Sequence, residues 1–296
     1  MKEYLKWSIL IVLTLTWGSS FFLIKKSLIG FSAYQVGALR IIIATITLLM
    51  IGGSKLKSIP KESYRWIFLA GLLGSFFPLF LFPMAEEKVD SGITGVLNAL
   101  VPLFTLVLGV IFFKNKASKM QLLGVFLGLI GTIFLLSPTS IFDQNSSIIG
   151  EQISIPHASL IVLATFMYAL NALIIKHKLS HINPITLTTG LFSSIAILGL
   201  IVLIYTGFFN TFEFSNQQLT ALGFISILSI VGTAIAMLLF NKLMQYSSAI
   251  FVSSVTYLMP IVALLWGVFD GENITVFHIG CFGIIILGVL IINRNK

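Results

Sequence analysis

Charge is scarce in this chain. Only 9% of its 296 residues are Asp, Glu, Lys or Arg, against about 25% in soluble domains, so it cannot clothe a water-facing surface. Acids are the rarer sign, 10 against 18 bases, and the net charge is +8. The excess forms no basic stripe with interleaved aromatics, which argues against a nucleic-acid partner. One cysteine, Cys281, lies in an apolar run and excludes an intramolecular disulfide. No P-loop, no H-E-x-x-H and no Cys/His ligand spacing occurs, so neither ATP-driven pumping nor a metal or other cofactor is expected. A cleaved signal peptide is not expected either. The first apolar run extends from near Trp7 to about Ile24, long enough to span, with no small-residue cleavage site after it.

Apolar side chains fill the space that charge leaves. They make up 57% of the chain, and the mean hydropathy is +1.04. A bilayer crossing needs roughly 20 mostly apolar residues. That criterion marks ten stretches: 7–27, 33–51, 66–85, 92–112, 120–137, 158–176, 185–206, 218–240, 248–268 and 275–292. The expected fold is therefore an all-α polytopic membrane protein of ten transmembrane helices. The longest connection, 138–157, is polar and turn-rich and falls at the midpoint.

Orientation follows from the bases. With both termini on one face, that face collects 14 of the 18 Lys and Arg residues, including Lys55, Lys57, Lys61 and Arg65. Lysine and arginine favour the cytoplasm, so both termini are expected inside a cytoplasmic (inner) membrane. The acids agree: Glu86, Glu87, Asp90, Asp143, Glu151, Glu213, Asp270 and Glu272 all fall on the opposite face. The stretch Glu86-Glu87-Lys88-Val89-Asp90 reads as a solvated external loop.

The halves repeat. Residues 9–25, ILIVLTLTWGSSFFLIK, align with 160–176, LIVLATFMYALNALIIK, at an offset of 151. Trp17 meets Tyr168, Ser20 meets Asn171 and Lys25 meets Lys176. Farther on, 97–110 align with 255–268 at an offset of 158, matching Asn98 to Thr256 and Pro102 to Pro260, and Gly74 and Gly232 keep the same offset. Each half holds five spans, an odd number, so the second copy must enter the membrane from the opposite face. Two inverted five-helix repeats are expected, 1–137 and 158–296, joined by an external loop at 138–157. Such repeats in secondary transporters meet around a site near the midplane.

Candidate site residues are polar groups at matching depth in the two halves. Arg40 lies about seven residues into its span, roughly 10 Å deep; a charge there either faces a cavity or snorkels to headgroups. Trp17, some ten residues in, is too deep for an interfacial belt, and its indole N–H needs a partner. It stacks on a solute or packs on a neighbouring helix. Ser20, Tyr168 and Asn171 share its level across the repeat. Asn98 and Thr256 precede the span prolines Pro102 and Pro260, expected kinks whose freed carbonyls need new partners; Tyr257 stands beside Thr256. Lys25 and Lys176 read as helix-end anchors. Gly124, Gly128 and Gly131 read as close helix packing. No acid falls at mid-depth in a span, so no obvious carboxylate proton relay is expected.

These motifs carry a resemblance. TWGSSFFLIKKSL in the first span, Arg40 within GALRIII, LVPLF followed by GVIF, and YLMPIVALLWGVFDGE are similar to the drug/metabolite transporter superfamily, in its ten-helix branch of two EamA-type repeats. The likeness runs over about residues 7–292. Lys114 replaces the acid usual after the family's fourth span, while Glu272 keeps its counterpart. The resemblance implies a secondary-active permease, not an enzyme, that moves small organic metabolites and exports amino acids or related compounds. Its partners are then a small-molecule substrate and the lipid bilayer. Uptake, a drug or nucleotide-sugar cargo, a passive channel and an intramembrane lipid-modifying enzyme are the alternatives.

Overall fold

Short polar residues set where the helices begin. Ser32 and Gln35 exchange hydrogen bonds, each with the other's backbone N–H, at 3.3 and 3.1 Å. This reciprocal cap starts helix α3 (Ala33–Gly52). Asn183 caps α10 (Pro184–Tyr205) through the Ile185 N–H, with Pro184 supplying a first-turn residue that needs no donor. Ser215 and Ser248 do the same for α12 (Asn216–Ser229) and α14 (Ala249–Ser253).

A computed structural model describes residues 1–89, 91–136, 154–269 and 276–294, and all regular secondary structure among them is helical. The other helices are α1 (Glu3–Gly18), α2 (Ser20–Ser27), α4 (Tyr64–Gly71), α5 (Phe77–Glu86), α6 (Ser91–Asn98), α7 (Val101–Phe113), α8 (Lys119–Leu136) and α9 (Ile155–Ile174). The second half continues with α11 (Phe208–Thr211), α13 (Ala236–Tyr246), α15 (Val255–Phe269) and α16 (Val276–Arg294). Several of these join end to end. Among the described residues six continuous stretches are long and apolar enough to cross a membrane: Glu3–Ser27, Ala33–Ser58, Lys61–Glu86, Ile155–Leu179, Pro184–Tyr205 and Asn216–Tyr246. Val101–Phe113, Lys119–Phe134, Ala249–Val262 and Ile279–Ile292 are shorter apolar helices. Met50, Phe112 and Tyr205 stand exposed on the outside, a greasy surface that only lipid would tolerate on this scale.

The boundaries differ from the sequence reading where tertiary contacts decide them. The first helix starts at Glu3, not near 7, and breaks at Ser19. The eighth stretch runs to Tyr246 rather than 240, because buried Asn241 finds a partner in the Thr188 hydroxyl at 2.9 Å. The expected loop at 138–157 ends earlier, since α9 begins at Ile155; its residues 138–153 lie outside the described residues, as do Asp90, Asp270 and Glu272.

Three stretches contain wide π-type turns, at Leu72–Phe76, Ile175–Leu179 and Ile230–Ile235. The first joins α4 to α5, and the third joins α12 to α13. They contain Gly74 and Gly232, the pair matched across the repeat. Such turns are rare and concentrate at functional sites. The proline pair behaves asymmetrically. Pro102 sits in the first turn of α7 after a break at residues 99–100, whereas Pro260 lies inside α15, whose break from α14 comes at Ser254.

Small residues bring α8 and α16 together. A Cβ on Gly288 would lie 2.7 Å from the Gly128 nitrogen and 2.8 Å from the Gly124 carbonyl. Only bare backbones can approach that closely.

Candidate functional site

The interrupted apolar run at the start of the chain is a helix break that feeds a cavity. Gly18 ends α1 where a Cβ would meet Val262 at 2.6 Å, so α1 presses against α15. Ser19 occupies the break and accepts a hydrogen bond from the Trp266 indole at 2.7 Å. Ser20 then opens α2, its hydroxyl spent on the Thr16 carbonyl at 3.0 Å. One turn back, the Trp17 indole N–H donates to the Gly232 carbonyl at 2.8 Å, and its ring leans on Phe240 with centroids 5.5 Å apart.

Trp17, Ser20 and Gly232 share a cavity with about 930 Å³ of space between atoms, part of it open to solvent. The first and third wide turns contribute to its wall, through Gly74 and Ser75 on one side and Gly232 and Thr233 on the other. Arg40 enters from α3. It is 7% exposed, and its guanidinium turns inward rather than out to headgroups. One Nη donates to the Thr233 hydroxyl at 3.3 Å, while Nε has no partner.

Two amides bring acceptors. Asn98, at the end of α6, gives its N–H to the Met259 sulfur at 3.6 Å, and its Oδ1 has no partner. Asn171, from α9, fills the space that a side chain on Gly74 would need, and its Oδ1 is also unpartnered. Both residues are 3% exposed and line the cavity. Buried polar atoms in folded proteins are nearly always bonded, so three orphans around one hollow are unusual. Thr256 lines the wall with its hydroxyl donated to the Ser253 carbonyl at 2.9 Å. Tyr168 stacks on Phe82, centroids 5.8 Å apart, and lines the same cavity as Arg40. Phe21, Met237, Met259 and Phe240 supply apolar wall.

Tyr257 is placed elsewhere. It is fully buried and does not line the cavity. Its hydroxyl donates to the Val125 carbonyl at 2.9 Å, and its ring covers Gly128. Neighbours on a helix face different ways, and Thr256 has the cavity side. Thr233, Ser75 and the Phe21–Phe82 wall were not singled out by sequence reasoning. The signal for Thr233 was its neighbour Gly232, already matched to Gly74.

Glu86 departs from the expected solvated loop. It ends α5, and both carboxylate oxygens are buried without a hydrogen-bond partner, although Glu87 and Lys88 are exposed. Lys176, read as a helix-end anchor, donates to the Met244 and Ser247 carbonyls at 3.0 and 2.7 Å and so closes the end of α13. His157 pairs with the Ser154 hydroxyl at 2.6 Å.

The arrangement suits a small solute with an acidic group for Arg40, an N–H donor for the amide oxygens and an apolar portion for the aromatic and thioether wall.

Comparison with known proteins gives the family. An archaeal protein from Archaeoglobus fulgidus, described as an uncharacterized transporter, is 27% identical over 98% of this chain and 99% of its own. The Escherichia coli K12 protein YedA, described as an uncharacterized inner membrane transporter, is 27% identical over 97% of this chain and 90% of its own. A solved crystal structure that is 15% identical covers 98% of this chain and 96% of its own with a TM-score of 0.73, a likeness of fold. The profile of the EamA-like transporter family matches residues 5–137 and again 156–294. The chain is a multi-pass membrane protein that belongs to the EamA-like transporter family.

Proposed function

We propose that the protein is a secondary-active transporter that exports small zwitterionic metabolites, amino acids foremost, by alternating access through the cavity. The observation that carries this reading is the trio of unpartnered buried atoms, Arg40 Nε, Asn98 Oδ1 and Asn171 Oδ1, around one hollow. A carboxylate on Arg40 gains a charge-assisted bond. An ammonium supplies the donors that the two amide oxygens lack. The aromatic wall accepts the side chain.

The layout proposed with it is ten spans in two inverted five-helix repeats, 1–137 and 158–296, with 138–157 outside and both termini in the cytoplasm of an inner-membrane protein. Its support is the base-rich face, the double match of the family profile and wide turns at equivalent places in the two halves. Labels placed at both termini of the chain in intact cells should react only after the membrane is made permeable; reaction of either in intact cells would refute that orientation.

Function is tested by counterflow in proteoliposomes preloaded with a panel of amino acids and related metabolites. Saturable exchange of at least one zwitterion is expected, with trans-stimulation. Exchange confined to sugars, or to cations lacking an acidic group, would reject the zwitterion reading. A flux that never saturates would point to a channel.

A further inference from the structure

Glu86 continues the row of α5 that lines the cavity. Pro78 and Phe82 contribute to the wall, and residues four apart on a helix stack on one face, so Glu86 stands one turn beyond Phe82 on the same side. Its two carboxylate oxygens have neither water access nor a hydrogen-bond partner. The helices packed on α5 bring Arg40 and Tyr34 on α3, the latter's ring 6.4 Å from Phe80, and Lys25 on α2, yet none of them donates to it. From α9, Tyr168 lines the same cavity as Arg40, and His157 is engaged with Ser154. Helix α6, which also touches α5, has no ionisable side chain. An ionised carboxylate in such a place is so costly that it keeps a proton or finds a partner. The cation of the cavity wall with an unspent donor is Arg40, through Nε, the same group offered to the solute.

We propose that Glu86 is a proton-binding site that competes with the solute's acidic group for Arg40. This rests on the transporter reading above. With the proton on, Glu86 leaves Arg40 free and the solute loads. When the cavity opens to admit water, the O–H bond breaks and the proton passes to that water, and the carboxylate left behind takes the guanidinium and displaces the solute. Only that one proton changes place.

Solute and proton therefore bind together and cross in the same direction, and by reciprocity each tightens the other. The sign is fixed. Binding is strongest at low pH and is lost as pH rises through the ionisation of Glu86. An inside-acid gradient speeds efflux, and an outside-acid gradient opposes it.

The test uses the full chain in proteoliposomes, with the zwitterion that exchanges best as the probe. In wild type, apparent affinity should fall about tenfold per pH unit above the Glu86 transition, the slope of one linked proton. Solute entry should carry protons that an internal pH dye records. Glu86→Gln should flatten the profile to less than about twofold per unit and abolish the dye signal. Glu86→Asp should keep both with a shifted midpoint. A second readout needs no transport: the protonated-carboxyl infrared band of wild type should be missing from Glu86→Gln. A Glu86→Gln profile identical to wild type, a band that survives the substitution, or exchange that follows sodium and ignores pH would each overturn the proposal. A wild-type chain that exchanges no member of the panel would instead overturn the transporter reading, and that silence distinguishes the two failures.

Discussion

Replacing Arg40 with glutamine should raise the KM for a zwitterion about 50-fold, the equivalent of about 2–3 kcal/mol for a lost hydrogen bond to a charged group. The guanidinium is the one cation in the described cavity wall, and its Nε has nothing else to bind. Arg40→Lys should recover only part of the loss, since it restores the charge without the planar fork that meets a carboxylate at two points. The substitution also cuts the bond to Thr233, so a structural effect must be separated from a binding one. A purely structural Arg40 would lower the Tm and the folded yield while leaving KM at the wild-type value. A KM that does not move in folded Arg40→Gln would remove Arg40 from the site.

The largest loss of stability should come from Gly288→Val. The new side chain would start from a Cβ within 2.8 Å of backbone atoms of both Gly124 and Gly128. Backbone cannot swing aside as a rotamer can, so α8 and α16 must part, at a cost of about 3 kcal/mol or more. Gly283→Ala, on the same helix α16, is the control, because nothing lies within 4 Å of its added Cβ. It should raise stability by about 0.5–1 kcal/mol through helix propensity. The comparison is read from Tm values in one detergent. Equal Tm values for the two variants would mean that α8 and α16 do not meet as described.

Much of the fold was legible because lipid imposes a coarse rule, about twenty apolar residues per crossing. What that rule does not see are the breaks at Ser19, at residues 99–100 and at Ser254, which depend on what each helix meets. The site was legible to the extent that duplication made it so. Trp17 and Tyr168, Ser20 and Asn171, and Asn98 and Thr256 were paired by offset, and all six line the cavity together with Arg40. Tyr257 was named only as a neighbour of Thr256 and faces α8. Glu86 was misread because a run of charged residues looks like a solvated turn. Its four-residue spacing from Phe82 is the clue that separates it from Glu87 and Lys88. The wide turns could not have been foreseen. Nothing in LLGSF or IVGTAI departs from ordinary helix composition, and the extra residue per turn is visible only in the backbone.

Two of those wide turns meet the cavity through unlike contacts. The indole of Trp17 holds the Gly232 carbonyl, and Arg40 holds the Thr233 hydroxyl, so two side chains of the cavity wall also bond to the turn of the second half. Its counterpart in the first half is wedged, not latched: Asn171 fills the gap over Gly74 and leaves its oxygen unspent. On this reading a solute that draws on Arg40 tugs at one hinge, and one that satisfies Asn171 steadies the other. The duplicated halves would then respond unequally to the same solute.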